Sequence, residues 1–403
     1  MTTETDDDHS VTSSAGVELY QRPIAHLLTP SSFPSTAANS VQVVHVANAL
    51  DRLGFSVTLH GYRATGFDQA AIRRQYNLGR NVELRVRPHH KNRVVRFVDL
   101  LGTMLSVGRE NPAICYTRDP VMAFFAPRGR RGVVCELHAL PEPGSLTAFF
   151  LRLLTRRSPR HVALVFITRA IQDAMQSRFP RVGRFRHVVA PSGVDVDAFA
   201  GVAPALPSPG RGRLRIGYVG SLYEGRGIET VLHCARTLPD EEFLIVGGSE
   251  AEWQTVSAGE GLPNVRRLPH QPAAAVPALL RSCDVLLAPY QHTVRTHGGV
   301  DTASWMSPLK VFEYMASGAA IIASNLPPLR EVLSHRRNAV LVTAEDPDAW
   351  VRAIAGLASD AQIRATLGAG AAADAAQHYS WLIRTRRILA TLDVDEGRPR
   401  SRS

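Results

Sequence analysis

Two side chains in the stretch Ser307-Pro308-Leu309-Lys310-Val311-Phe312-Glu313-Tyr314-Met315-Ala316-Ser317-Gly318 have the types needed to hold an anion that also carries hydroxyls. Lys310 and Glu313 stand three apart, so on a helix they share a face. Ser307 reads as the N-cap, and Pro308 as a first helical residue whose missing N–H costs nothing. Gly318 reads as the left-handed residue that closes the helix. Leu309, Phe312, Met315 and Ala316 recur at helical spacing and predict a buried stripe. A cation and a carboxylate near the positive end of a short helix suit an anionic, hydroxylated ligand. The same pair fits equally a solvated Lys–Glu contact on an ordinary amphipathic helix.

A second cluster is Gly217-Tyr218-Val219-Gly220-Ser221-Leu222-Tyr223-Glu224-Gly225-Arg226-Gly227. It leaves a strand and opens a helix, where glycines let backbone amides approach an anion and Arg226 adds positive potential. The spacing is neither the dinucleotide fingerprint nor a P-loop, which counts against an NAD-dependent enzyme. A plain glycine-rich turn with a surface arginine is the competing reading. Gly247-Gly248-Ser249, after the next strand, is a weaker loop of the same kind.

At 403 residues the chain implies two or three domains, and 45% hydrophobic with 20% charged residues is the composition of a soluble globular protein. No apolar run approaches a membrane span, and the acidic start MTTETDDDHS is no secretory signal. Cys115, Cys135, Cys234 and Cys283 lack metal-ligand spacing and sit in apolar contexts, which predicts buried, reduced thiols in the cytoplasm. The net charge of +10 is carried almost wholly by arginine, since Lys91 and Lys310 are the only lysines. With no nucleic-acid motif, that charge favours a membrane surface or a phosphate-bearing substrate over nucleic acid.

Both halves alternate strands and helices. Strands are expected at Ile24–Leu28, Phe55–His60, Ala113–Arg118, Gly132–Leu137, Val162–Thr168 and His187–Pro191. Thr29–Ser40 reads as a ligand loop after the first of them, leading into a helix over Val41–Leu53. The section 70–108 reads simply as basic. Leu146–Arg157 is amphipathic and arginine-edged, fitting a packing helix better than a membrane-lying one. Ala203–Gly212, rich in Pro and Gly, marks a linker. Beyond it strands are expected at Leu214–Val219, Glu242–Val246, Val265–Leu268, Val285–Pro289, Ala319–Ser324 and Ala339–Val342. Helices are expected at Gly227–Thr237, Ala273–Ser282, from Arg330, at Asp346–Ala358 and over 360–376 and 381–392.

These motifs, in this order, resemble the retaining glycosyltransferases of family four (glycosyl transferases group 1). The resemblance runs from about Ile24 to Trp381 and is closer in the second half. It rests on Gly220–Gly227, Phe243–Gly248, Leu262–Val265, Ser282–Pro289, Ser307–Gly318 and Pro327–Val332. In the first half the looser landmarks are Glu136-Leu137-His138, Thr168-Arg169-Ala170 and Ser192–Asp195. It implies the GT-B architecture, an α/β fold of two Rossmann-like βαβ domains facing each other across a cleft. The expected organisation is a disordered tail over 1–20, an acceptor domain over 21–202, a nucleotide-sugar domain over 203–380, and a final helix and tail over 381–403.

The implied reaction moves a hexose from a UDP- or GDP-sugar to an acceptor hydroxyl with retention. The basic residues from Arg73 to Arg96 and from Arg128 to Arg157 suggest an anionic or membrane-borne acceptor, a glycan or glycolipid of the cell envelope, and with it an expected cytoplasmic enzyme peripheral on the membrane. No metal or other cofactor is expected, and nucleic acid is not a partner. Arg226 and Lys310 would meet the charge of the leaving diphosphate, Glu313 the ribose hydroxyls, and His138 the transferred sugar. Asn39, Gly220, Ser221, Gly247, Ser307, Pro308 and Leu309 would bind the donor. Two positions depart from the family pattern. Ser221 stands where many relatives have Arg, and Trp305 where many have the first of two glutamates. Lys310 is therefore expected to supply the charge missing at Ser221, with backbone amides before Pro308 holding the donor. An epimerase or an inactive nucleotide-sugar-binding subunit on the same fold is the alternative that Trp305 and Ser221 keep open.

Overall fold

The computed structural model describes residues 22–392 apart from 36, 158, 211 and 296–300. The two terminal tails expected from the sequence lie outside the described residues.

Two wholly parallel sheets organise the chain. The first has seven strands in the order β3-β2-β1-β4-β5-β6-β7. These are β1 (Ile24–Phe33), β2 (Ser56–Arg63), β3 (Val82–Arg87), β4 (Ile114–Thr117), β5 (Gly132–Leu137), β6 (Val162–Phe166) and β7 (Arg186–Val189). The second has six, in the order β10-β9-β8-β11-β12-β13. They are β8 (Arg215–Val219), β9 (Glu242–Val246), β10 (Val265–Leu268), β11 (Val285–Ala288), β12 (Ala320–Ser324) and β13 (Val340–Val342). Runs such as Val162-Ala163-Leu164-Val165-Phe166 are buried throughout, as strands covered on both faces must be. In each sheet the strand order reverses beside the first strand, which opens a crevice at the strands' C-terminal ends.

Helices cover both faces. On one face of the first sheet lie α1 (Ala38–Arg52) and α2 (Gln69–Gln75). The other carries α3 (Arg93–Arg109), α4 (Pro120–Phe125), α5 (Leu146–Leu154) and α6 (Arg169–Arg178). The second half contributes α7 (Ile228–Thr237), α8 (Glu250–Ser257), α9 (Val276–Leu280), α10 (Leu309–Ser317), α11 (Pro327–Arg330), α12 (Pro347–Ser359), α13 (Ala361–His378) and α14 (Trp381–Ala390). The last of these leaves the second sheet and returns to the first. Trp381, Ile388 and Leu389 enter the same core as Val43, Ala47 and Leu50 of α1.

The chain therefore passes between the two halves twice, once after β7 and once before α14, and the two passages are hydrogen bonded to each other. The Val194 N–H donates to the Tyr379 carbonyl at 2.9 Å, and the Trp381 N–H donates to the Val194 carbonyl at 3.2 Å. A Cβ at Gly193 would lie 2.8 Å from the Tyr379 carbonyl oxygen, so only glycine lets the strands run this close. Nearby, both oxygens of Glu331 accept from the first amides of α6, Arg169 N–H at 2.7 Å and Ala170 N–H at 3.1 Å. A carboxylate from the second half thus serves the positive end of a helix in the first.

Several expected elements differ. The first strand does not stop at Leu28 but runs to Phe33, with a register shift between Leu28 and Ser32, so the first part of the expected loop is strand and its end is helix. The helix after it starts at Ala38, which places Asn39 in its first turn. The basic section holds β3 and α3: Val82 and Leu84 face the core while Glu83 and Arg85 alternate outward, an edge-strand pattern masked by arginines. The helix expected from Arg330 instead ends there, because it begins early at the prolines Pro327 and Pro328. The four cysteines are free and buried, as expected.

Candidate functional site

At the crevice of the second sheet, the loops after β8 and β11 are locked together. A Cβ at Gly227 would lie 1.8 Å from the Pro289 carbonyl oxygen, and one at Gly225 would lie 1.9 Å from that of Thr293. Gly247 comes equally close to Gly220, its added Cβ falling 2.1 Å from the Gly220 carbonyl oxygen. These glycines, with positive φ at each, are needed first for chain-to-chain approach and only then for a ligand.

Lys310 reaches into this corner. Its Nζ lies 4.2 Å from the Tyr218 ring centre and 4.5 Å from that of Tyr290. It would stand 3.5 Å from a Cβ at Gly220, immediately before Ser221. The Nζ is buried with no hydrogen-bond partner, so the alternative of a solvated contact with Glu313 does not hold. Burial, reinforced by the nearby Arg226, holds its pKa well below the usual lysine value. Arg226 donates to Tyr290 Oη at 3.4 Å, and its Nε is buried without a partner. Two basic side chains thus converge with no carboxylate opposing them, and a polyanion bound there would restore the charge that burial withholds from Lys310. Tyr218 and Tyr290, which shape the cation pocket, are residues that motif spacing does not reveal. Both are aromatic residues at strand ends and carry no periodic signal.

Glu313, one turn further along α10, is pushed up to about 7 by burial, with no cation set against it. Below the unfolded-state value of 4.5 the group is protonated in both states, so it has no effect. As the pH rises from there, the unfolded chain loses its proton while the folded one keeps it until about 7, so stability falls through this window. Urea unfolding at about pH 5 and about pH 8 is therefore expected to show wild-type protein losing stability relative to Glu313→Gln on going to the higher pH. Parallel profiles for the two proteins would contradict the burial of this carboxyl.

Ser307 is not the N-cap expected. Helix α10 begins at Leu309 with Pro308 before it and no side-chain cap. The Ser307 Oγ is engaged elsewhere: it accepts from the Ser192 N–H at 2.8 Å, and Ser192 Oγ donates to the Ser307 carbonyl at 2.7 Å. Gln42 of α1 donates to Ser192 Oγ at 3.2 Å, which ties the first domain to the start of this helix. Leu309 and Trp305 pack against cores of the first domain, and Thr168 Oγ1 donates to the Trp305 carbonyl at 3.2 Å. The helix N-terminus is thereby left uncapped beside Lys310.

Across the crevice, His138 ends β5 with both ring nitrogens occupied. Its Nε2 is 2.5 Å from Glu136 Oε1, and its Nδ1 is 2.8 Å from Arg118. Arg118 also donates to the Asn39 carbonyl at 3.1 Å, so Asn39 and His138 belong to one string. Burial and Arg118 lower His138 to about 4, and the ring is neutral with its proton on Nε2 facing the carboxylate. Glu136 is fully buried. Burial alone would raise its pKa, but Arg384, His138 and Arg118 outweigh it and hold the group ionised. Arg384 of α14 donates to Glu136 at 2.8 Å, and Tyr116 donates to the other carboxylate oxygen. A glutamate inside the apolar run Val133-Val134-Cys135-Glu136-Leu137 was the available sign of this network. The structure thus gathers Gly220, Ser221, Gly247, Arg226, Lys310 and Glu313 around one crevice wall, and Asn39 and His138 on the other. Ser307, Pro308 and Leu309 lie at the seam. Among the described residues no group of three or more His, Cys, Asp or Glu side chains is placed to hold a metal.

The profile for "Glycosyl transferases group 1" matches residues 213–360, and that for "Glycosyltransferase Family 4" matches residues 40–198, together more than half of the chain. The phosphatidyl-myo-inositol mannosyltransferase of Mycolicibacterium smegmatis is 30% identical over 215 residues, 52% of either chain. The D-inositol 3-phosphate glycosyltransferase of Corynebacterium urealyticum is 27% identical over 45% of this chain and 44% of its own. The chain thus matches about half the length of these curated relatives. Among solved structures, Anabaena HepE in complex with UDP and glucose superposes with a TM-score of 0.66 at 17% identity, covering 93% of this chain and all of the other. Two parallel-sheet domains joined in this way are the GT-B architecture of glycosyltransferases. The chain belongs to glycosyltransferase family four, the glycosyl transferases group 1.

Proposed function

We propose that the protein is a retaining hexosyltransferase using a UDP- or GDP-sugar, without a metal ion, and acting on a polyol carried by a lipid at the cytoplasmic face of a membrane. The observation that supports this most is the pair of basic side chains without a carboxylate partner, Lys310 and Arg226, beside the uncapped start of α10. Departure of the diphosphate concentrates negative charge, and fixed positive potential in a buried corner is the effective way to stabilise it. Glu313 has free carboxyl oxygens for ribose hydroxyls. His138, held neutral by Arg118 and Glu136, borders the transferred sugar. Trp305 occupies a glutamate position of many relatives, and its buried indole N–H has no partner.

The relatives named for phosphatidyl-myo-inositol and inositol 3-phosphate favour a polyol acceptor, and one surface favours a bilayer as its carrier. Among the described residues no helix is long and apolar enough to cross a membrane. On α3, however, Val94, Val98 and Leu105 are 60–70% exposed, and on α5 Leu146 and Phe149 are more than half exposed. Phe97, Phe125, Phe150 and Phe149 join the two helices in an aromatic row. Arg109 on α3, Arg152 on α5, and Arg128 and Arg156 just beyond α4 and α5 are exposed, a local charge that suits anionic lipid. Helix α5 also buries Ala148, Leu151 and Leu154, so it is a packing helix, and contact of its exposed side with lipid is part of the proposal.

Calorimetry with UDP, GDP and their hexoses identifies the donor, and proton NMR of the product reads the anomeric configuration. Transfer with the donor's configuration retained is expected. An inverted product, or no binding of either nucleotide, would overturn the reading.

A further inference from the structure

The fold gives Lys310 nothing to hold a charge against. Its Nζ is buried without a hydrogen-bond partner, with the Tyr218 and Tyr290 ring centres 4.2 and 4.5 Å away. Neither phenol stands in for an anion. The Tyr218 hydroxyl donates to the Ser221 carbonyl at 2.6 Å, and the Tyr290 hydroxyl accepts from Arg226 at 3.4 Å. Burial raises both phenols, that of Tyr290 to about 12. Tyr314, on α10 itself, is bonded through its hydroxyl to the main chain of Val219.

The charged groups around this corner do not help. Arg226 is the one that acts on the amine, and it repels a proton there. Glu229, in the first turn of α7, acts on Tyr218 and not on Lys310. Glu313 keeps its own proton up to about pH 7 because of burial. A buried ammonium has three N–H groups to satisfy, and with no acceptor for any of them the neutral amine is the cheaper form. Attraction to the two ring faces returns only part of the desolvation cost.

What the corner lacks is negative charge, and a nucleoside diphosphate carries it. The amine stands beside the turn at Gly220 and Ser221, with its Nζ 3.5 Å from where a Cβ at Gly220 would lie. Its flexible four-carbon stem lets the nitrogen turn toward a phosphate seated on that loop. An opposite charge within about 4–6 Å favours the protonated form and reverses the balance.

We propose that binding of the donor's diphosphate draws a proton from solvent onto Lys310, and that release of the nucleoside diphosphate returns it. This rests on the transferase reading above. The proton passes from a buffer acid to the lone pair of the amine, and the conjugate base stays in solution. No bond of the sugar is made or broken in that step. Positive potential is thereby in place before the leaving group develops its charge, and the protein without donor is spared a buried ammonium.

The test uses the unmodified protein. Lys91 and Lys310 are the only lysines, so labelling with 15N at lysine Nζ gives two side-chain signals, with the exposed Lys91 as the internal comparison. At about pH 9, below the ordinary lysine value of 10.5, Lys310 should appear as a neutral amine in the free protein. It should become an ammonium when UDP, GDP or inorganic pyrophosphate is added. Calorimetry in buffers of different ionisation heat should then show uptake of about one proton on nucleotide binding, with affinity falling about tenfold per pH unit in this range. Lys310→Met should abolish the uptake, and Glu313→Gln should keep it, which separates it from titration of that carboxyl. An ammonium at Lys310 in the free protein, or binding heats that do not depend on the buffer, would overturn the proposal and leave the transferase reading standing. Should none of the three probes bind, the donor site itself is refuted and the proposal falls with it.

Discussion

Replacing Lys310 with Met is expected to lower kcat/KM for sugar transfer by about 10²–10³-fold while making the free protein harder to unfold. Both effects come from the same placement. The Nζ is buried between Tyr218 and Tyr290 without a hydrogen-bond partner. Cation–π attraction returns about 2 kcal/mol at a desolvated site, less than the several kcal/mol that desolvating an ion costs. Met keeps the packing volume and removes that cost. The sign follows from the depressed pKa. Above the unfolded value of 10.5 the amine is neutral in both states, and below it the unfolded chain gains a proton that the folded chain resists. Wild-type protein should therefore lose stability relative to Lys310→Met as the pH falls from about 10.5 toward the folded value. Thermal unfolding across pH, set beside steady-state transfer rates, checks both halves. A variant with unaltered transfer would remove Lys310 from the reaction.

Arg384→Met should be the most destabilising of the substitutions considered, by about 3–5 kcal/mol, because it strands an ionised carboxylate in the core. Glu136 is fully buried, and Arg384 both pairs with it and donates to the carbonyls of Pro191 at 2.6 Å and Ala190 at 3.1 Å. For a protein of this size the loss corresponds to roughly 5 °C in melting temperature. The double variant Glu136→Gln with Arg384→Met should recover much of it, since neither charge is then left unpaired. Additive losses in the double variant would mean that the pair contributes only through packing. Transfer by the surviving folded fraction should fall as well, because Glu136 also fixes the tautomer of His138.

Much of the donor wall was legible because its chemistry is local. A glycine-rich turn, a strand end and a short helix each leave marks within a dozen residues, so Arg226, Lys310 and Glu313 could be nominated from spacing and family resemblance. The residues that make those side chains unusual were not legible. Tyr218 and Tyr290 approach Lys310 from two different strand ends, and no periodicity reports a meeting of that kind. The tie between Ser192 and Ser307 spans 115 positions, so an N-cap assignment made from neighbours alone missed its competitor. In the first domain the arginines of β3 and α3 hid alternation and helix behind charge. The buried pair His26 and His60 is likewise a contact between strands, 34 positions apart. What sequence reads well is a motif that folds on itself; what it reads poorly is a group whose partner arrives from elsewhere.

The two passages of chain between the domains bear on how the crevice works. A single tether allows its two bodies to bend and to swivel. Two tethers laid side by side, and joined at Val194 by bonds to Tyr379 and Trp381, resist torsion because any swivel must shear those bonds. The easy freedom left to the molecule is bending across the paired strands, as in a door hung on two pins. Any opening of the crevice would then be confined to that bend, and it would also have to release the Glu331 carboxylate from the start of α6.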